Sequence, residues 1–189
     1  MKQKPFNLVL VGDPASGKGV QGARLAKHYH LHNFDMGKEV RRPAIRARYN
    51  YRKTVAMGNL TPTKVCRDIL RKVIRAVPAR QGILFNGHPK MLGEAKLTAR
   101  LLQHYRRSDP FVIYLSIPIS ETMRRAGKRK REDDTLRGLR NRKRYYKKEI
   151  SRVVAFFKKK YVLKNISGMG TREEVYRRIT AAIKQNAWH

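Results

Sequence analysis

Eight consecutive residues, Gly12-Asp13-Pro14-Ala15-Ser16-Gly17-Lys18-Gly19, combine what an anionic ligand needs. Glycines let the backbone curl so that successive N–H groups point at one spot. A helix opening near Lys18 adds the positive end of its dipole, and the lysine ammonium reaches the outer phosphates of a nucleotide. The common form of this phosphate loop carries Ser or Thr directly after the lysine, and here Gly19 holds that position. The chemistry indicated is the binding of phosphate groups.

Such a loop works only between a strand and a helix, and the flanking sequence supplies both. Phe6–Val11 is a continuous apolar run that predicts a buried strand, and a helix follows from about Lys18 to His30. Further strands are expected at Asn33–Met36, Gly82–Asn86, Phe111–Ile117 and Val162–Ile166. Helices are expected at Lys38–Ala47, Pro62–Val77, Met91–Tyr105, Ser120–Arg129, Asp133–Lys160 and Thr171–Lys184. Pro62 suits a first helical turn, and Thr171 with Glu174 three residues later forms a capping box. Continuous apolar strands separated by helices predict an α/β fold: three α/β/α layers around a five-stranded parallel sheet. With no internal repeat and no Ser/Gly/Pro linker, residues 1–189 read as one domain.

Composition bounds the function classes. The 189 residues include 45 Lys+Arg against 13 Asp+Glu, a formal net charge of +32, yet 41% are hydrophobic. That apolar content excludes a disordered basic tail, and the charge points to phosphates, nucleic acid or anionic surfaces as partners. The single cysteine, Cys66, excludes an internal disulfide framework and reads as a packed thiol in a reducing compartment. The longest apolar runs fall far short of the ~20 residues of a membrane helix. Lys2 and Lys4 precede an apolar run, but that run leads straight into the phosphate loop, so an export signal is not expected and the cytoplasm is. His28, His30 and His32 gather at the end of the first helix, where positive charge is favourable, and no Cys/His cluster suits zinc.

The loop, followed by Val20-Gln21, resembles that of adenylate kinases and related nucleoside monophosphate kinases, whose pattern is Gly-x-Pro-x-x-Gly-Lys-Gly-Thr-Gln. The likeness continues in order along nearly the whole chain. Met36-Gly37-Lys38 with Arg41 resembles the family's Ser-Thr-Gly-Asp segment and its following arginine. Gly58-Asn59-Leu60 resembles Gly-x-Leu-Val, and Asn86-Gly87-His88-Pro89-Lys90 resembles Asp-Gly-Phe-Pro-Arg. Arg131-Glu132-Asp133-Asp134 with Arg142 resembles the family's Arg-x-Asp-Asp and its later arginine.

The resemblance implies transfer of the γ-phosphoryl of ATP, bound with Mg2+, to a nucleoside monophosphate by a monomeric enzyme without a membrane partner. It implies that Gly12, Pro14, Ala15, Ser16, Gly17, Lys18, Gly19, Val20 and Arg125 surround ATP. Met36, Arg41, Gly87, Lys90 and Glu94 would receive the monophosphate, within an acceptor-binding segment of about 35–65 and the start of the helix after the third strand. Lys18, Arg125, Arg129, Arg131 and Arg142 would stabilise the moving phosphoryl group, three of them in or beside a very short lid of about 125–132. Arginine suits that task because its planar fork bonds two phosphate oxygens at once. Asn86 would approach the metal only through water.

Five departures bear on those roles. Val20 replaces a threonine hydroxyl, Asn86 replaces an aspartate near the metal, and Lys90 replaces an arginine. Lys38 replaces an aspartate, and Glu94 replaces the glutamine that reads the acceptor's base. They leave a second reading open, a kinase fold recruited to bind RNA with weak or no catalysis. The stretch 124–160 holds 17 Lys+Arg against 4 Asp+Glu. Within it, Tyr145, Tyr146, Phe156 and Phe157 read either as stacking platforms for bases or as the core face of a helix.

Overall fold

The structure is a computed structural model that describes residues 5–50, 52–54, 61–127 and 136–186, and of 136–147 the backbone alone. In chain order the elements are β1 (Asn7–Gly12), α1 (Lys18–His28), β2 (His32–Asp35), α2 (Met36–Arg41), α3 (Pro43–Arg46), α4 (Thr63–Ala76), β3 (Ile83–Asn86), α5 (Leu92–His104), β4 (Pro110–Ser116), α6 (Ile119–Gly127), α7 (Leu136–Lys160), β5 (Leu163–Ser167) and α8 (Arg172–Asn186). The strands form one parallel sheet in the order β2-β3-β1-β4-β5, so the expected α/β architecture is present.

Alternation along β1 divides the core. Val9 and Val11 face one side, with Phe85 and Val112 of the neighbouring strands. They meet Val65, Ile69, Leu70 and Ile74 of α4, Leu102 of α5 and Val153 and Phe157 of α7. Leu8 and Leu10 face the other side and meet Leu25 of α1 and Val175, Ile179 and Ile183 of α8. Each of these side chains gains ~1.5–3 kcal/mol from leaving water. Both layers therefore hold the sheet through apolar contact, and β1 sits at its centre.

Local chemistry sets the element ends. The expected helix Lys38–Ala47 is instead two short helices, because Pro43 has no N–H and pushes Arg42 into an extended conformation (φ −60°, ψ 137°). The Thr171–Glu174 capping box forms as expected: the Thr171 N–H donates to Glu174 Oε2 at 2.7 Å, and the Glu174 N–H donates to Thr171 Oγ1 at 3.2 Å. β2 runs His32–Asp35, one residue earlier than expected, since Asp35, still paired with Asn86, also caps α2 by accepting the Lys38 N–H at 3.1 Å and so starts the helix at Met36. β4 and β5 are shifted by one residue from the expected runs. No helix among the described residues is long and apolar enough to cross a membrane.

Candidate active site

β1 ends at Gly12, and the chain curls through Asp13–Gly17 before α1 begins at Lys18. Gly17 caps the helix in the left-handed region (φ 96°), which glycine adopts at little cost. Asp13 fixes the curl to the neighbouring strand. Its Oδ1 accepts the Tyr114 hydroxyl and its Oδ2 accepts the Ile117 N–H, both at 2.8 Å, while its own N–H donates to Leu115 O at 3.0 Å. Burial and the Asp13 carboxylate push the Tyr114 phenol above its usual range, so it stays a donor. Lys18 folds its ammonium into the loop, donating to Gly12 O and Asp13 O at 2.6 Å each and approaching Ser16 Oγ at 3.4 Å. Ser16 is buried, and Ala15 packs on Ala126 of α6. Gly19 leaves open space where a side chain would stand, and Val20 is 43% exposed on the outside of α1.

The register brings the ends of β3 and β4 beside the loop. Leu10 pairs with Asn86 and Gly12 with Leu115, so these residues share the carboxyl edge of the sheet, where open α/β sheets bind ligands. Asn86 is buried against α1. A Cβ on Gly22 would lie 2.4 Å from its amide nitrogen, so only glycine admits this approach. The Gly87 N–H donates to Leu10 O at 3.1 Å, and Lys90 is half-buried just beyond. From the β2 side, Arg41 is half-buried at the end of α2 beside Gly37. Met36 is not a lining residue in this arrangement: its side chain lies in the core under α4, because the first turn of α2 turns it inward.

Glu94, in the first turn of α5, is only 7% exposed. Its Oε2 accepts the Lys90 N–H at 2.7 Å and lies 3.5 Å from Nδ1 of the buried His88. One carboxylate oxygen is therefore already committed within the protein. His88 Nε2 meets Thr98 Oγ1 at 3.1 Å, and that hydroxyl donates to Glu94 O at 2.8 Å. Cys66 of α4 closes the group. Burial, aided by Glu94, pushes its thiol up to about 12, so it is an unreactive packed thiol as expected.

On α6, Arg125 is bound to Glu121 one turn earlier, together with Arg124. Hydrogen bonds from Arg124 and then Arg125 hold the Glu121 carboxyl down at about 2. Arg129 and Arg131 lie outside the described residues, as does the side chain of Arg142 on α7. The stacking reading of the aromatics fails where it can be read: Phe157 is fully buried in the core and Phe156 packs against it. The side chains of Tyr145 and Tyr146 are outside the described set.

Sequence reasoning missed three contacts. Glu121 stands four residues before Arg125, a helical pairing distance visible in the sequence. Glu94 and Thr98 show the same spacing, whereas their link to His88 crosses elements and left no periodic signal. The Asp13–Tyr114 bond spans 101 residues and was equally silent. Among the described residues no group of three His, Cys, Asp or Glu side chains could hold a metal ion. A hydrated Mg2+ carried on nucleotide phosphates needs few protein ligands, and the neutral oxygens of Ser16 and Asn86 at this edge suit that kind of binding.

The family model for adenylate kinase matches residues 10–162. The adenylate kinase of Porphyromonas gingivalis (strain W83) is 30% identical over 186 residues, covering 94% of this chain and 95% of its own. That of Thermus thermophilus is 28% identical over 183 residues, covering 93% and 96%. That of Phocaeicola vulgatus is 26% identical over 188 residues, covering 95% and 99%. The matched span holds the phosphate loop, all of β1 to β4 from Leu10 onward and the helices that position them, so the chain belongs to the adenylate kinase family.

Proposed function

We infer that the chain transfers the γ-phosphoryl of ATP to AMP, giving two ADP. The observation that carries this reading is the loop Gly12–Gly19, with the Lys18 ammonium inside it, seated beside the β3 end that bears Asn86–Lys90. Phosphoryl transfer asks little covalent chemistry of a protein. It needs two phosphate groups held in line and positive charge on the oxygens that gain negative charge.

Lys18 and the loop amides from Ala15 to Gly19 hold the donor's β- and γ-phosphates. Arg41 and Lys90 hold the acceptor's phosphate. Lys90 does so as a single point charge without the bidentate geometry of arginine. Arg125 of α6, Arg129, Arg131 and Arg142 of α7 stabilise the moving group, and Arg125 exchanges Glu121 for phosphate as it does so. Mg2+, bound with ATP, supplies charge neutralisation on the phosphates, with Ser16 and Asn86 as the residues that would support it, the latter through water. Glu94 faces the acceptor's base with the oxygen that Lys90 leaves unused. In this reading residues 1–189 form one monomeric kinase domain, with an acceptor-binding segment of about 35–65 and a lid of about 125–132.

The test is ADP formation by the full chain with ATP, Mg2+ and each of AMP, GMP, CMP and UMP in turn. AMP is expected to be turned over fastest. Folded protein that yields no diphosphate from any acceptor, beyond hydrolysis of ATP alone, overturns the reading.

A further inference from the structure

The two nucleotides account for few of the cations behind the +32 charge, and the helical layer over one face of the sheet presents a concentrated share of the rest. On α4, Lys64, Arg67, Arg71 and Arg75 recur at three- and four-residue steps opposite the buried Val65, Ile69, Leu70 and Ile74, and all four are exposed. Neighbouring α5 presents Lys96 and Arg100 one turn apart, also exposed. None of the six has an ion-pair partner among the described residues. The only acids on the two helices do not offset them: Asp68 pairs with Arg48 at 2.9 Å, and Glu94 is buried.

Like charges one turn apart on a helix repel, so this row costs stability unless an anion covers it. The α4 row extends about 16 Å at ~1.5 Å per residue. Along a nucleic-acid duplex one strand presents a phosphate every ~3.4 Å of axis, so the row spans about five phosphates. Packed helices lie ~8–10 Å apart, which sets Lys96 and Arg100 as a second row beside the first. Neither helix contains Phe, Tyr or Trp, and the one ring, His104 at the end of α5, is engaged edge-on with Tyr105, so the face lacks a platform for a run of unpaired bases. The exposed large apolar residues among those described are Val20, Ile119, Met123, Val162 and Met169, none of them on α4 or α5, so the face has no anchor to insert into a bilayer.

We propose that the outer face of α4 and α5 is a docking surface for the phosphate backbone of double-helical nucleic acid, read without regard to base sequence. It lies on the solvent side of the helical layer, apart from the sheet edge that holds the phosphate loop, and does not depend on catalysis. It is also a different face from the aromatic-bearing stretch of α7.

The experiment measures fluorescence anisotropy of a 20-base-pair DNA duplex with the full chain between 50 and 200 mM salt. Two triple variants are compared, Arg67→Gln/Arg71→Gln/Arg75→Gln on α4 and Lys27→Gln/Arg177→Gln/Lys184→Gln on the α1–α8 layer, which remove equal charge from exposed positions. Binding is expected to weaken steeply with salt. The α4 variant should lose roughly tenfold or more in affinity and lower the log–log salt slope by roughly 2–3, with the other variant close to wild type and kinase activity unchanged in both. The proposal is overturned by absence of duplex binding at 50 mM salt, or by equal losses in the two variants. Tighter binding of a single strand of the same length, or of anionic lipid vesicles, also overturns it.

Discussion

Nδ1 of His88 faces Oε2 of Glu94 across 3.5 Å, with both side chains shut away from water. The Thr98 hydroxyl spends its proton on Glu94 O, so it accepts from His88 Nε2. In the neutral ring Nδ1 is then a bare acceptor with no partner, turned toward a carboxylate oxygen. Two lone pairs share the gap, and a buried unpaired acceptor costs ~1–3 kcal/mol.

Glu94→Gln relieves that contact. Both contacts fall on Oε2, so with the amide oxygen in that position the Lys90 N–H keeps its acceptor and the full negative charge opposite Nδ1 is removed. The variant is expected to gain on the order of 1 kcal/mol, read as a rise of about 2–4 °C in Tm by scanning calorimetry. A fall in Tm would show that a proton already bridges the pair.

The pH dependence follows from the same pair. Burial lowers the His88 pKa and outweighs the opposing pull of Glu94. The unfolded chain then takes up a proton at a higher pH than the folded one, so the contribution of the neutral ring is complete above pH ~6.5 and is lost as pH falls through the lowered folded value. Tm of the wild type should drop more steeply between pH 7 and pH 5 than that of His88→Leu, by up to ~1.4 kcal/mol of stability per pH unit. Parallel curves would contradict it.

Tyr114→Phe removes one of the two donors that hold the Asp13 carboxylate while leaving the Ile117 N–H in place. A hydrogen bond to a charged group is worth ~1.5–3 kcal/mol, so Tm should fall by several degrees. Because Asp13 is part of the loop, KM for ATP should rise several-fold with a smaller change in KM for AMP, measured by varying each substrate in turn.

Lys18→Met keeps the length of the side chain and removes the ammonium from the loop. Losing one charged donor aimed at the reacting phosphates costs ~10²–10³ in rate. The expected result is that loss in kcat, measured well below a Tm that falls by several degrees as the two loop hydrogen bonds are lost. A variant retaining more than a tenth of wild-type kcat would remove Lys18 from the catalytic set.

Cys66, with its thiol raised to about 12 and its side chain buried under α4, should resist iodoacetamide at pH 8 in the native protein and react at once in denaturant. Mass spectrometry of the intact chain before and after unfolding reads this directly.

What could be read from the sequence follows a physical division. β1 and β4 announce themselves because burial on both faces demands unbroken apolar runs, whereas β2, with Phe34 its only fully buried side chain, is weakly marked. The loop is legible because glycine spacing encodes backbone shape locally. Pro43 is visible too, yet its effect on the preceding residue, which splits α2 from α3, competes with a helical periodicity that continues across it. Asp13–Tyr114 is not legible, since it depends on which strands the sheet order brings together, and His88–Glu94 depends on the path of the turn between β3 and α5, which no periodic pattern reports.

The central position of β1 has a consequence for biosynthesis. Its two neighbours begin at Ile83 and Pro110, and the carboxylate that shapes the loop waits for partners at Tyr114 and Ile117. On the ribosome β1 therefore keeps at least one apolar edge unpaired until β4 has emerged. Such edges are prone to self-association, and long-range parallel pairing is slow. The phosphate loop precedes β3 and β4 in the chain yet takes its shape only once they are in place, and a nascent chain stalled before residue 117 would have its Lys18 but no framework to aim it.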